Sequence, residues 1–397
     1  MERDGTSGSG QCNSMCSFIP PYLLKAIADS PEAPQSAREG AARTQSIDIN
    51  IRSDRQVLLE GATPGAGIIP PYITEAIAES EATEPQVRES AQQTLQQDRE
   101  IRRERAEAAA GAVVYPTRQI FDCRETDSLP GSLVRPENGP RVRDRAVNNA
   151  YDGLGIAFNF FATVFGRNSI DNASLTLVCS MHYLHDYNNA LWNGRQMIFG
   201  DGDGKYFDYF SDSLDVIVHE LTHGVTQYTA NLEYKDQPGA LNESISDVFA
   251  CMAEQWHFGQ TSAQGDWILG QHILPVARKG AALRSLRAPG TAYNDYLGKD
   301  PQISHMRDYV TTDKDNGGVH YNSGIPNHAF YLTAIGLGGH SWERTGQIWY
   351  KSLTDRRVKS KSTFKEFAEF TLDHAQNMFG NLVSNIVKSS WESVGVL

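Results

Sequence analysis

The five residues His219-Glu220-Leu221-Thr222-His223 constrain this chain more than any other stretch. On a helix the two histidines lie four apart and project from one face, so both imidazoles can hold one zinc ion with Glu220 beside it. The apolar run Leu214 to Val218 leads into His219 and follows Ser211-Asp212-Ser213, whose side chains suit an N-cap. A buried helix starting there is predicted. Downstream, Asn242-Glu243-Ser244-Ile245-Ser246-Asp247 precedes Val248, Phe249 and Met252 at helical spacing, so a second helix would present Glu243 and Asp247 on one face. A catalytic zinc takes three protein ligands and an open fourth position, which makes Glu243 the third ligand; Asp247 can then orient a ligand imidazole from behind. The bland alternative is a pair of surface carboxylates solvating a helix.

The runs HELTHGVTQ, GALNESISD and DNGGVHYNSGI together resemble the thermolysin family of zinc endopeptidases, over Tyr115 to Leu397. The resemblance implies an α+β, two-lobed metalloprotease. Its β-rich N-terminal lobe (112–228) includes the HExxH helix, its C-terminal lobe (229–397) is mainly helical, and a helical or flexible pro-region (1–111) precedes both. It also implies roles. His219, His223 and Glu243 would hold one zinc, Glu220 would take the proton of the attacking water, and His320 and Tyr234 would donate to the oxyanion. Asn242 and Asp247 would steady the ligand histidines, and Asp315 would steady His320. Asn189 and the backbone of Ala190 would pair with an extended peptide, and Arg284 would hold a substrate carbonyl by two hydrogen bonds. Phe207, Phe210, Val216 and Leu283 would form an apolar pocket favouring a bulky hydrophobic residue after the cleaved bond. Asp215, Glu254 and Asp266 match carboxylates of the family's main calcium site. Ile268 and Gln271 stand where calcium-rich relatives carry acidic residues, so one structural calcium is expected, not two.

Residues 1–111 contain an internal repeat: Ile19-Pro20-Pro21-Tyr22 with Ala26-Ile27-Ala28 recurs as Ile69-Pro70-Pro71-Tyr72 with Ala76-Ile77-Ala78. The copies span 19–50 and 69–100, each a stiff Pro-Pro start, a short amphipathic helix and a polar segment. Here the chain is similar to the protealysin-like branch of the family, whose short pro-segment carries a PPY- or PPL-type motif and blocks the cleft. The pro-region would thus be an intramolecular inhibitor. The second copy lies nearer the enzyme in sequence; which copy blocks is open. The charged run Arg99 to Arg105, followed by AEAAAGA, reads as an accessible linker, with a maturation cut expected between Arg105 and Val113.

The first residues lack the apolar core of a secretory signal, so a cytoplasmic location or nonclassical export is expected. A net charge of -12 argues against nucleic-acid binding, and no apolar run is long enough for a membrane helix. Five scattered cysteines suggest reduced thiols, with Cys12 and Cys16 a remote metal pair. Peptides and proteins are the expected partners, and a monomer the expected state. Elsewhere the pattern predicts a helix over Val147 to Phe165, strands at Leu175 to Val178 and Met197 to Phe199, and helices over Trp342–Leu353, Phe364–Phe379 and through Trp391. Gly200-Asp201-Gly202-Asp203-Gly204 suits either a calcium or a tight turn. The competing class is a non-catalytic zinc protein whose repeats are the working surface.

Overall fold

The structure, a computed structural model, describes residues 16–60, 115–275, 282–295 and 298–397, with isolated positions 85, 86, 88, 89 and 92 between them. The second repeat, apart from those positions, and the expected maturation cut lie outside the described residues.

Short β-branched and aromatic runs in the first half build a six-stranded sheet in the order β1-β5-β6-β4-β2-β3. The strands are β1 (Cys16–Ser17), β2 (Arg118–Asp122), β3 (Ser132–Pro136), β4 (Leu177–Met181), β5 (Ala190–Trp192) and β6 (Met197–Phe199). β2, β4 and β6 run parallel, while β5 is antiparallel to β6 and accepts β1 antiparallel on its free side. The first strand of the chain therefore closes what would otherwise be an open sheet edge.

Helix α1 (Pro21–Asp29) starts with Pro21 in its first turn, where the missing N–H is not needed, and buries Leu23, Leu24 and Ile27. It is followed by α2 (Gln35–Glu60). Helix α3 (Arg145–Phe165) begins two residues before the predicted start because Asp144 caps it, accepting from the Ala146 and Val147 N–H groups; Gly166 ends it in the left-handed region. Its Phe161 stacks on Phe249, ring centroids 5.5 Å apart, tying the sheet lobe to the helical one.

Phe249 belongs to α5 (Asp236–Phe258), which packs along α4 (Leu214–Gln227). Every α4 residue from Asp215 to Thr226 is buried, as expected of a helix enclosed on all sides. Ser213 stands at the N-cap as predicted but does not cap with its side chain. Its hydroxyl donates instead to Asp215, the stronger acceptor nearby.

The helical lobe continues through α6 (Asp315–Asn322), α7 (Gly324–Leu337), α8 (Arg344–Leu353), α9 (Phe364–Phe379) and α10 (Asn381–Ser393). Trp349 of α8 stacks on Trp391 of α10 at 5.8 Å, and Thr363 with Glu366 closes a capping box at the start of α9. The Gly200–Gly204 stretch is a tight turn: Asp203 accepts the backbone N–H groups of Lys205, Tyr206 and Phe207, and Asp201 is engaged by His182. No described helix is long and apolar enough to cross a membrane.

Candidate active site

Packing α4 against α5 brings three buried donors to one point. The His219 and His223 Nε2 atoms are 2.9 Å apart, and Glu243 Oε2 and Oε1 lie 3.5 and 3.4 Å from them respectively. Among the described residues this is the one group of three or more metal-capable side chains whose donor atoms all fall within 4.8 Å of one another. The remaining ring nitrogens are anchored from behind. His223 Nδ1 lies 2.9 Å from Asn242 Oδ1 and 3.0 Å from Ser246 Oγ, and His219 Nδ1 lies 3.0 Å from Asp247 Oδ1. Two imidazoles turned to expose Nε2 toward a buried carboxylate form the donor set that a zinc ion takes, so these residues fit the metal.

Asp247 is wholly buried, which pushes its carboxyl up, but the Arg284 charge and the contacts to His219 and Asn327 overcome this and leave it below the usual carboxylate range. Glu220, on the same helix face as the two histidines, is also fully buried, and neither carboxylate oxygen has a well-formed hydrogen bond. Burial first, and Glu243 second, raise its carboxyl well above the ordinary value. A carboxylate held this way is a stronger base than one in water, suited to accepting a proton from a water beside it.

His320 reaches the cleft on a strained turn. Asp315, Asn316, Gly317 and Gly318 all take positive φ, and a Cβ at Gly317 would lie 2.0 Å from Asp236 Oδ1. Only glycine fits there. The turn lets Asp315 grip His320 twice, at Nδ1 (2.7 Å) and at its backbone N–H (2.9 Å). Burial lowers the His320 pKa, yet Asp315 and Glu243 outweigh it, and the ring is held above its ordinary value.

The cleft is filled by the chain's own first repeat. Phe18 N–H donates to Ala190 O at 3.0 Å. Ile19 N–H donates to Asn189 Oδ1 at 2.7 Å, and Asn189 Nδ2 reaches back to Ile19 O at 3.4 Å. Arg284 Nη1 donates to Phe18 O, and His320 Nε2 sits 3.1 Å from Ser17 O. The Phe18 ring stands edge-on to His219 at 5.1 Å and beneath the Arg284 guanidinium at 4.5 Å. Phe207, Phe210, Val216 and Leu283 are all buried in the same apolar cluster as Phe18.

The structure thus joins His219, Glu220, His223, Glu243, Asn242, Asp247, Asp315, His320, Asn189, Ala190 and Arg284 around one cleft, and it differs from expectation at two points. Arg284 gives the carbonyl one hydrogen bond, not two, because its Nε is spent on Asp247 at 3.0 Å. The Tyr234 hydroxyl donates to Glu243, the strongest acceptor in reach, and stands 3.3 Å from His320 Nε2. Asp215, Glu254 and Asp266 lie near enough for the charges of Asp215 and Asp266 to act on Glu254, and Asp215 accepts from Ser213, from Val216 N–H at 2.7 Å and from Gly270 N–H at 2.6 Å. Three participants were not foreseen. Ser246 stands behind His223 Nδ1. Asn327 donates to Asp247 Oδ2, and Asp48 of α2 accepts from both Tyr187 and Asn189. A buried polar residue in an apolar helix was the available signal for Asn327; no local signal marked Asp48.

A buried two-histidine, one-glutamate donor set, an adjacent buried glutamate and a strand edge holding an extended peptide define a metallopeptidase. The model of the thermolysin metallopeptidase catalytic domain matches residues 102–227, and that of its alpha-helical domain matches residues 230–396. An extracellular metalloprotease of Pectobacterium carotovorum subsp. carotovorum is 54% identical over 280 residues, covering 70% of this chain and 81% of that protein. Protease PrtS of Photorhabdus sp. (strain Az29) is 47% identical, over 70% of this chain and 76% of its own length. The solved precursor of protealysin, a metalloproteinase from Serratia proteamaculans, superposes with a TM-score of 0.78 at 39% identity, over 96% of this chain and all of that one. The chain belongs to the thermolysin family of metallopeptidases, in its protealysin-like branch.

Proposed function

We propose that this chain is a zinc-dependent neutral endopeptidase made as a self-inhibited precursor, in which the first repeat, not the second, occupies the cleft, and which prefers a bulky hydrophobic residue after the cleaved bond. One observation carries the reading: Phe18 and Ile19 are laddered onto Ala190, Asn189 and Arg284 as an extended peptide would be, with a large aromatic side chain buried next to the ligand His219.

His219, His223 and Glu243 would hold a zinc ion, which would supply the Lewis acidity for activating a water near neutral pH. Glu220 accepts that water's proton and delivers it to the leaving nitrogen. His320, oriented by Asp315 at its Nδ1, donates to the carbonyl oxygen as charge collects there. Asn189, Ala190 and Arg284 hold the backbone on the far side of the bond, which fixes the reacting carbonyl in place. Self-inhibition follows from occupancy, because a substrate strand and Phe18-Ile19 need the same donors and acceptors.

The test is hydrolysis of a quenched peptide carrying Phe after its scissile bond, before and after removal of residues 1–111, with Glu220→Gln alongside. The shortened enzyme should cleave it, the full chain far less, and Glu220→Gln should retain zinc yet lose at least ~10²-fold in turnover. Equal activity of full and shortened chains would remove the inhibitory role. Undiminished turnover by Glu220→Gln would remove the mechanism.

A further inference from the structure

We propose that the Ser17–Phe18 peptide bond is a substrate of the very site it covers, so that the enzyme nicks its own chain just ahead of the first repeat while the downstream piece stays clamped in the cleft. This rests on the endopeptidase reading above.

The register is what singles out that bond. Ser17 pairs with Leu191 and Cys16 with Trp192, which places Ser17 O 3.1 Å from His320 Nε2 on the side of the metal-donor cluster. The next nitrogen along the chain is that of Phe18, whose N–H is held by Ala190 O; the next carbonyl is held by Arg284, and the residue after that by Asn189 on both its N–H and C=O. Every peptide group on the far side of the Ser17–Phe18 bond is thus engaged. The carbonyl at the bond faces the histidine expected to polarise it. The Phe18 ring lies in the apolar position beside His219.

Nothing in the local backbone shields the bond. The stiff Pro20-Pro21 pair begins two residues beyond it, past the last laddered N–H at Ile19. The segment that approaches the reacting groups is extended strand, the conformation in which a peptide is cut.

The step consumes one water. Its oxygen joins the Ser17 carbonyl carbon, the C–N bond to Phe18 breaks, and the proton passes to the Phe18 nitrogen. No oxidant or reductant is involved. The cut need not release the plug. Downstream of it, Tyr22 stacks on Tyr321 at 4.8 Å, Leu23, Leu24 and Ile27 are buried, and Thr44 and Asp48 bond to Asn188, Tyr187 and Asn189. Upstream, among the described residues, the chain is held by the two-residue strand β1 and by the contact of Ser17 O with His320. The expected product is a chain that begins at Phe18, remains folded on the cleft and is still weakly active.

The experiment incubates the zinc-loaded full-length chain at two concentrations, following intact mass and amino-terminal sequence. A Phe18→Asp/Ile19→Asp variant, whose cleft the substitutions vacate, is assayed in parallel on an unrelated quenched peptide. Expected are a new terminus at Phe18, a rate unchanged on dilution, and suppression of about 10²-fold or more in Glu220→Gln. A wild-type chain that stays whole at Ser17–Phe18 while the vacated variant cleaves its peptide would overturn the proposal and leave the endopeptidase reading standing. Inactivity of the vacated variant with zinc bound would overturn both. A Phe18 terminus whose rate rises in proportion to concentration would replace the intramolecular cut by cleavage between molecules, and would also overturn it.

Discussion

Two clusters of buried ionisable groups sit on the same pair of helices, and they answer burial in different ways. At His219, His223 and Glu243 the carboxylate faces imidazoles, and each imidazole is braced from behind by Asn242, Ser246 or Asp247. The donors converge. At Asp215, Glu254 and Asp266 carboxylates face one another. Asp215 is satisfied by backbone N–H groups and a hydroxyl, while Glu254 is pushed up to about 9 by burial first, then by Asp215 and Asp266. In the first cluster the carboxylate meets imidazole donors, while in the second the carboxylates raise one another's affinity for a proton. Composition alone would have scored the second as the better site for a hard metal, and what separates them is whether other partners have already been supplied.

The sharpest way to break this contrast is to remove one carboxylate from each. Glu243→Gln should cost more than ~10²-fold in peptide hydrolysis and lower the zinc content per chain, whereas Glu254→Gln should leave both within about twofold. Comparable losses from the two variants would make the clusters a single functional unit. A smaller effect is expected at the brace. Asp247→Ala should weaken zinc binding by about 10- to 100-fold, read by competition with a chelator, because His219 and Arg284 both lose their anchor.

Next comes a stability effect confined to the second cluster. A Glu254 carboxyl that titrates at about 9 in the folded chain keeps a proton that the unfolded chain releases near its ordinary 4.5. Wild type therefore loses stability as pH climbs from about 4.5 to about 9, and Glu254→Gln should unfold several degrees higher than wild type at pH 8 but alike at pH 4. Calcium added at pH 8 would compete with the proton and raise the wild-type Tm alone. No calcium-dependent shift would leave the proton as the sole occupant.

The smallest expected effect lies outside both clusters. Hydrogen bonding to Asp201 raises His182 to about 9, against the opposing pull of burial and with further help from the charges of Asp201 and Asp144. This contribution is fully present below pH 6.5 and lost as pH rises through 9, so His182→Gln should destabilise by about 1 kcal/mol at pH 6 and by nothing at pH 10, in paired thermal melts.

Much of the site was legible because its parts are close in sequence. His219, Glu220 and His223 share one helix face, Asn242, Glu243 and Asp247 share another, and Asp315 precedes His320 across a turn that needs glycine. The helix over 145–165 and the three C-terminal helices could likewise be read from periodicity and caps, to within two residues. The surroundings of the acidic cluster were not legible for a physical reason. Whether Asp215 keeps a free lone pair depends on Gly270 N–H, fifty-five positions away, and no local pattern encodes that bond.

The order of the repeats taught the same lesson. The second copy lies nearer the enzyme in sequence and the choice between copies was open, but the described cleft holds the residues that lead into the first. Residues 16–19 reach it by becoming an edge strand on β5, and α2 returns across the lobe to place Asp48 on Asn189. By itself, the sequence determined the chemistry: the donor types, the base beside them and the helices that present them, because helical spacing is a local property of the backbone. Tertiary structure alone decided which segment fills the cleft, which bond faces His320, and which carboxylates are left to a cation. Those depend on hydrogen bonds between residues far apart in the chain, and on which groups burial has left without any other partner.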